Sequence, residues 1–132
     1  AGAAVMSKKM ITGNECKYPE YTGFFRTIEA NNIEIKPGLG LLNNAIVDQH
    51  FVKRMRMNRL ISAVIENPGQ IGIGIDESTA ILVQADSATV IGESQVIVLR
   101  PPKKAKRECS GLLGARNMQL DVLLENDVFY LY

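Results

Sequence analysis

A single histidine, His50, is all the imidazole that the 132 residues carry. Tryptophan is absent, and tyrosine and phenylalanine supply only four residues each. Acid–base chemistry near neutral pH by an unperturbed side chain therefore has one address. The two cysteines, Cys16 and Cys109, together with one histidine fall short of a structural zinc set. They read as two free thiols or, in an oxidising compartment, as one disulfide. No apolar run approaches the roughly 20 residues that a membrane-spanning helix needs. Neither sign of charge dominates: 15 Lys and Arg against 14 Asp and Glu leave a net charge of +1. That balance argues against a general nucleic-acid or membrane-surface role. The length allows one domain at most. The hydrophobic content of 46% suffices for a core, provided that each element finds a partner to pack on.

An initiator methionine and a signal-peptide pattern are also missing at Ala1. Residues 1–11 nevertheless read as a helix with no N-cap before it. The expectation is a chain cut or split from an upstream segment. Residues 14–38 read as a surface excursion punctuated by Pro19, Gly23, Asn31 and Pro37. Its aromatic patch of Tyr18, Tyr21, Phe24 and Phe25 either covers an active site or packs a partner.

The apolar run through Ala45, Ile46 and Val47 predicts a buried strand that ends at Asp48, Gln49 and His50. A helix is expected over 51–66, with Met57, Leu60, Ile61, Val64 and Ile65 at helical spacing. Asn67, Pro68 and Gly69 stop it. Residues 71–77 alternate isoleucine and glycine, which predicts a strand whose glycine face admits another backbone closely. Extended segments follow at 80–83, 89–92 and 96–99, then a basic loop at 101–107. Residues 120–124 and 128–132 have the pattern of a hairpin. The sum is an α/β sheet protein with an antiparallel extension. With one clear strand-to-helix unit, the sheet reads as incomplete.

His50 falls at the carboxyl end of a predicted strand, the edge where open α/β sheets bind ligands. A satisfied structural histidine is the alternative. Lys53, Arg54, Arg56 and Arg59 follow, with no acidic residue before Glu66. Cations at a helix N-terminus oppose the helix dipole, so four of them call for an offsetting anion. Guanidinium groups match carboxylates, which suggests a carboxylate-binding site. Intramolecular salt bridges and a phosphate or nucleic-acid site are the other readings. Asp76 and Glu77 end the alternating strand, where a carboxylate can orient the imidazole of His50. Turn chemistry explains such a pair equally well. Asp48, His50 and Glu77 could hold a metal only against the repulsion of the arginines. No serine of the chain lies in a recognisable nucleophile elbow. Ala1 excludes an N-terminal-nucleophile hydrolase.

These residues resemble a known family. Ala1, Gly2 and Ala3 resemble the downstream half of a Gly-x-Ser-Ala-Gly-Ala elbow. The block Asp48-Gln49-His50-Phe51, with arginines at 54, 56 and 59, resembles the signature of cyanophycinases, peptidase family S51. Gly74-Ile75-Asp76-Glu77-Ser78-Thr79-Ala80 is similar to that family's next motif.

The resemblance implies the C-terminal half of a class I glutamine-amidotransferase-like (flavodoxin-like) three-layer α/β fold, with antiparallel C-terminal strands. It implies a serine hydrolase of β-aspartyl peptides such as cyanophycin, acting without cofactor or metal, as a homo-oligomer of the complete enzyme. His50 would be the general base and Glu77 its orienting partner. Asp48, Gln49, Arg54, Arg56 and Arg59 would line the substrate site. The serine would stand immediately before Ala1, and the N–H of Ala1 would belong to the oxyanion hole. As a free terminus Ala1 would be an amine, so the chain alone is not expected to catalyse acyl transfer without its upstream partner half. An anion- or nucleic-acid-binding module and a non-catalytic subunit are the competing expectations.

Overall fold

The computed structural model describes residues 2–132. In chain order the strands are β1 (Lys9–Glu15), β2 (Ile33–Pro37) and β3 (Ala45–Gln49), then, after helix α1 (Met57–Glu66), β4 (Ile71–Ile75), β5 (Thr79–Gln84), β6 (Ser87–Gly92) and β7 (Val96–Leu99). The last four are β8 (Lys104–Arg107), β9 (Leu113–Arg116), β10 (Leu120–Leu123) and β11 (Val128–Tyr130). The architecture is α/β, as expected, with a single α-helix among the described residues and strands making up most of the rest of the regular structure.

The central sheet has the order β10-β7-β4-β3. Strands β3 and β4 run parallel, joined through α1, whereas β4, β7 and β10 pair antiparallel. Strand alternation sorts its residues onto two faces. Ala45, Val47, Ile71, Ile73, Ile75, Val96 and Val98 face one core, closed by Ala88 and Val90 of β6 and by Phe129. Ile46, Ile97 and Leu99 face the other, closed by Leu60, Ala63 and Val64 of α1 and by Ile11 and Ile33. Burying Leu60 or Val64 contributes roughly 1.5–3 kcal/mol each. The glycines of β4 matter here. A methyl on Gly72 would lie 2.8 Å from Val64 and 2.9 Å from Leu60; on Gly74 it would lie 2.3 Å from the Phe51 ring. The glycine face thus admits side chains of α1 and of the turn before it, rather than another backbone.

Several sequence expectations are corrected. Residues 1–11 do not make a helix: Ala4–Met6 forms one 3-10 turn, and β1 begins at Lys9. Its β-branched Ile11 and Thr12 favour extended backbone, and Ile11 pairs with Ile35 of β2. The excursion at 14–38 therefore contains a strand, signalled by the alternation Ile33-Glu34-Ile35. The helix starts at Met57, because residues 51–55 form a separate turn with Met55 in the left-handed region (φ 50). The basic loop contains β8, paired with β9.

The C-terminal hairpin is absent. Strand β10 pairs with β7, and β11 pairs with β6. The turn between them is bound to β6 by Val90 N–H to the Asp127 carbonyl and Asn126 N–H to the Val90 carbonyl, 2.9 Å each. Hydrogen bonding to β6 thus carries the chain from one sheet to the other. Cys16 and Cys109 are exposed free thiols. No helix among the described residues is long and apolar enough to cross a membrane.

Candidate active site

Parallel pairing of β3 with β4 sets Asp48 beside Gly74 and Gln49 beside Ile75. Both strands therefore end at the same edge of the sheet, and the residues that follow emerge together. His50 Nδ1 lies 3.2 Å from Glu77 Oε1, with both side chains about 40% exposed (41% and 39%). A proton on Nδ1 shared with Glu77 leaves the lone pair of Nε2 available to a reactant. The backbone is strained at both ends of the pair. His50 has φ 51, and Ser78, next to Glu77, has φ 53. A left-handed conformation costs an ordinary residue roughly 1–2 kcal/mol, so surrounding contacts must impose it.

Asp48 points into the protein. Its carboxylate accepts from Arg59 Nε at 2.6 Å and, at still closer range, from Arg59 Nη2. The guanidinium of Arg59 also stacks 4.9 Å from the centroid of Phe25. This forked pair is buried, with side-chain exposures of 1% for Asp48 and 4% for Arg59. Arg56 Nη1 approaches the same carboxylate at 3.9 Å and donates to the Gln49 carbonyl at 2.6 Å. Arg56 Nε is buried and has no hydrogen-bond partner. Burial lowers the Arg56 pKa, as does the neighbouring Arg59 charge, while Asp48 opposes the shift. Two guanidinium groups thus share one carboxylate, leaving one positive charge uncompensated among the three.

The three residues line a cavity of about 330 Å³ with Gln49, Tyr21 and the strand residues around Gly13. A larger cavity of about 530 Å³ lies elsewhere, against Met6, Leu41, Leu42, Ile75 and Ile81. Its lining is apolar and brings no titratable group, so the smaller cavity is the chemical candidate. Arg54 is exposed and stands outside the cavity lining, with its N–H donating to the His50 carbonyl at 3.1 Å. The anticipated cluster of cations at a helix start is smaller than the sequence implies. Only Arg59 lies within α1, and Asp48 is the anion that offsets it.

Asp48, His50 and Glu77 do not converge as a metal set, since Asp48 faces Arg59 while His50 faces Glu77. Ala1 lies outside the described residues, so its expected part in an oxyanion hole has no geometry here. Five serines are engaged structurally, Ser87 by donating to the Gln84 carbonyl and Ser110 by accepting from Leu112 N–H. Ser7 Oγ accepts from Val47 N–H, Ser62 donates to the Asn58 carbonyl, and Ser94 donates to Asp76.

Asp76 is buried, and its carboxylate is encircled by donors. Burial alone would raise its pKa, but donation from Lys53 N–H, the Ser94 hydroxyl and the N–H groups of Glu77 and Val52 outweighs it and holds the carboxyl below the ordinary range. The residues alone placed Asp76 beside Glu77 at the strand end without separating their tasks; the family resemblance singled out Glu77 and gave Asp76 none.

Residues 1–91 match the model of peptidase family S51. The whole chain aligns at 37% identity with a cyanophycinase of Trichormus variabilis, covering 44% of that protein. A cyanophycinase of Synechococcus elongatus is 32% identical over 99% of the chain and 40% of its own length. One from Geminocystis herdmanii is 39% identical over 96% of the chain and 46% of its own length. The chain therefore spans under half the length of these curated relatives.

Proposed function

Because the chain belongs to peptidase family S51, we propose that it forms the histidine-bearing part of a serine-type hydrolase cleaving β-aspartyl peptide linkages, with cyanophycin-like material as substrate and dipeptides as products. The observation that carries this reading is the His50–Glu77 pair at the carboxyl edge of β3 and β4. In the same reading, the α/β architecture is the C-terminal half of a class I glutamine-amidotransferase-like fold. An upstream segment outside residues 1–132 supplies the nucleophilic serine.

His50 Nε2 takes the serine proton as the hydroxyl attacks the scissile carbonyl. Glu77 fixes the tautomer through Nδ1 and stabilises the imidazolium that forms. The same proton passes to the leaving amine, and water, activated by His50, then resolves the acyl-enzyme. The N–H of Ala1, as an amide following the serine, donates to the developing oxyanion.

In the cavity, Arg56 takes the free carboxylate of the substrate. Its unpartnered Nε and the uncompensated charge support this role. Asp48 and Arg59 hold Arg56 and Gln49 in place, and Arg54 serves the rim. A purely anion-binding module would use the same cavity but gives no task to the His50–Glu77 pair.

Arg56→Ala in the complete enzyme is expected to raise KM about 10- to 100-fold for substrates with a free carboxylate, from loss of a charged hydrogen bond of roughly 1.5–3 kcal/mol. The lost bond to the Gln49 carbonyl acts on every substrate alike, so the KM increase for the free carboxylate should exceed that for the corresponding amide by about 10-fold or more. Equal losses on both substrates would remove Arg56 from the carboxylate site.

A further inference from the structure

We infer that Asp76 is the positioning residue that locks His50 against Glu77, with Ser94 as its support. The inference rests on the reading of His50 as general base and adds to it a residue that touches neither substrate nor the imidazole.

His50 holds a left-handed backbone, which a histidine leaves unless its neighbours over-determine it. Five contacts restrain it, the first being Arg54 N–H donating to the His50 carbonyl at 3.1 Å. The Gln49 carbonyl before it accepts from Arg56. The Phe51 ring after it is buried against Gly74. Phe51 N–H donates to the Ile75 carbonyl at 3.3 Å. Lys53 N–H donates to Asp76 Oδ1 at 3.0 Å. Asp76 is the one side chain among these that also belongs to the segment carrying Glu77.

The far side of Asp76 is anchored as well. Its Oδ2 accepts from the Ser94 hydroxyl at 2.8 Å, and its own N–H donates to the Gln95 carbonyl at 3.1 Å. Ser94 N–H in turn donates to Thr79 Oγ1, whose hydroxyl donates to the Glu77 carbonyl, each at 3.0 Å. Glu93 N–H donates to the Ser78 carbonyl at 2.9 Å. The turn after His50, the turn after Glu77 and the segment 93–95 therefore meet at one carboxylate. Both oxygens of Asp76 are occupied, so it holds the two turns at a fixed separation. That separation sets the His50–Glu77 distance.

The test uses the complete enzyme and compares Asp76→Asn, Ser94→Ala, Ser94→Thr and His50→Ala. Asparagine retains an oxygen for Lys53 N–H but replaces the acceptor that Ser94 uses. Asp76→Asn is expected to lower kcat about 10- to 100-fold, the scale of a slightly misplaced catalytic group, with KM within about twofold. Ser94→Ala should lose several-fold in kcat, on the same basis, and Ser94→Thr should recover most of it by restoring the hydroxyl.

An Asp76→Asn protein with reduced Tm but wild-type kcat per folded molecule would overturn the inference, because the carboxylate would then serve stability alone. If Asp76→Asn does not fold, Ser94→Ala decides: wild-type kcat overturns the inference, and a kcat loss rescued by threonine supports it. The reading beneath is tested separately. Wild-type turnover in His50→Ala would overturn the general-base assignment itself, whatever the Asp76 variants do.

Discussion

His50→Ala in the complete enzyme is expected to lose at least about 10³-fold in kcat for a β-aspartyl peptide, the scale of a missing general base within a nucleophilic unit. The fold should survive. Alanine carries the same Cβ at φ 51 as histidine, so the backbone meets no new strain. The side chain is 41% exposed, and the pair with Glu77 sits in a half-hydrated setting where such contacts are worth under about 1 kcal/mol. The expected change in Tm is therefore no more than about 4 °C. Thermal unfolding and steady-state kinetics on the same preparation check both halves. A large Tm loss accompanying the activity loss would return His50 to a structural role.

Asp48→Ala should have the opposite signature, with stability as the first casualty. The substitution leaves Arg59 buried without its forked partner and Arg56 without the nearby anion. Removing one member of a buried ion pair typically costs 3–5 kcal/mol, because the remaining charge has lost its hydration and gained nothing. A loss of about that size is expected in urea unfolding, read as a lower midpoint at unchanged slope. Replacing both partners together, as Asp48→Leu with Arg59→Met, should recover part of the loss, since the unpaired charge of Arg59 is removed while that of Arg56 stays. A loss below about 1 kcal/mol in the single variant would mean that water reaches Arg59 and that the pair is not the rigid wall of the cavity.

The contrast between these variants follows from where the strands leave each residue. Asp48 and His50 stand two apart along the chain. Asp48 is still within β3 and faces the core, whereas His50 follows the strand's last residue and turns out at the edge. One motif thus supplies both a buried brace and a half-exposed acid–base group.

Much of this could be read in the sequence. The apolar run before Asp48 and the isoleucine–glycine alternation up to Ile75 determine both central strands and their common edge. That edge brings His50 beside Glu77. The elements that failed did so for reasons of long-range pairing. Residues 1–11 have few local signals against a helix, and β2 decides the matter by pairing with β1. The two C-terminal segments look like a hairpin locally, yet each finds a partner far away in the chain, in β7 and β6. The task of Arg59 was hidden for a similar reason. Its anion, Asp48, is eleven residues away and meets it only once α1 packs across β3. On local pattern alone, without the family resemblance that singled out Glu77, Asp76 looked interchangeable with it, because only the turns at 51–55 and 93–95 give the two carboxylates different neighbours.

The most direct test of the His50–Glu77 assignment is the rate of covalent labelling of the complete enzyme by a serine-directed fluorophosphonate. That reaction needs an activated serine and no particular substrate. Wild type should label rapidly, Glu77→Gln more slowly, and His50→Ala at least about 100-fold more slowly, in keeping with loss of the general base. Equal labelling rates in wild type and His50→Ala would contradict the account, because the serine would then be activated by some other group.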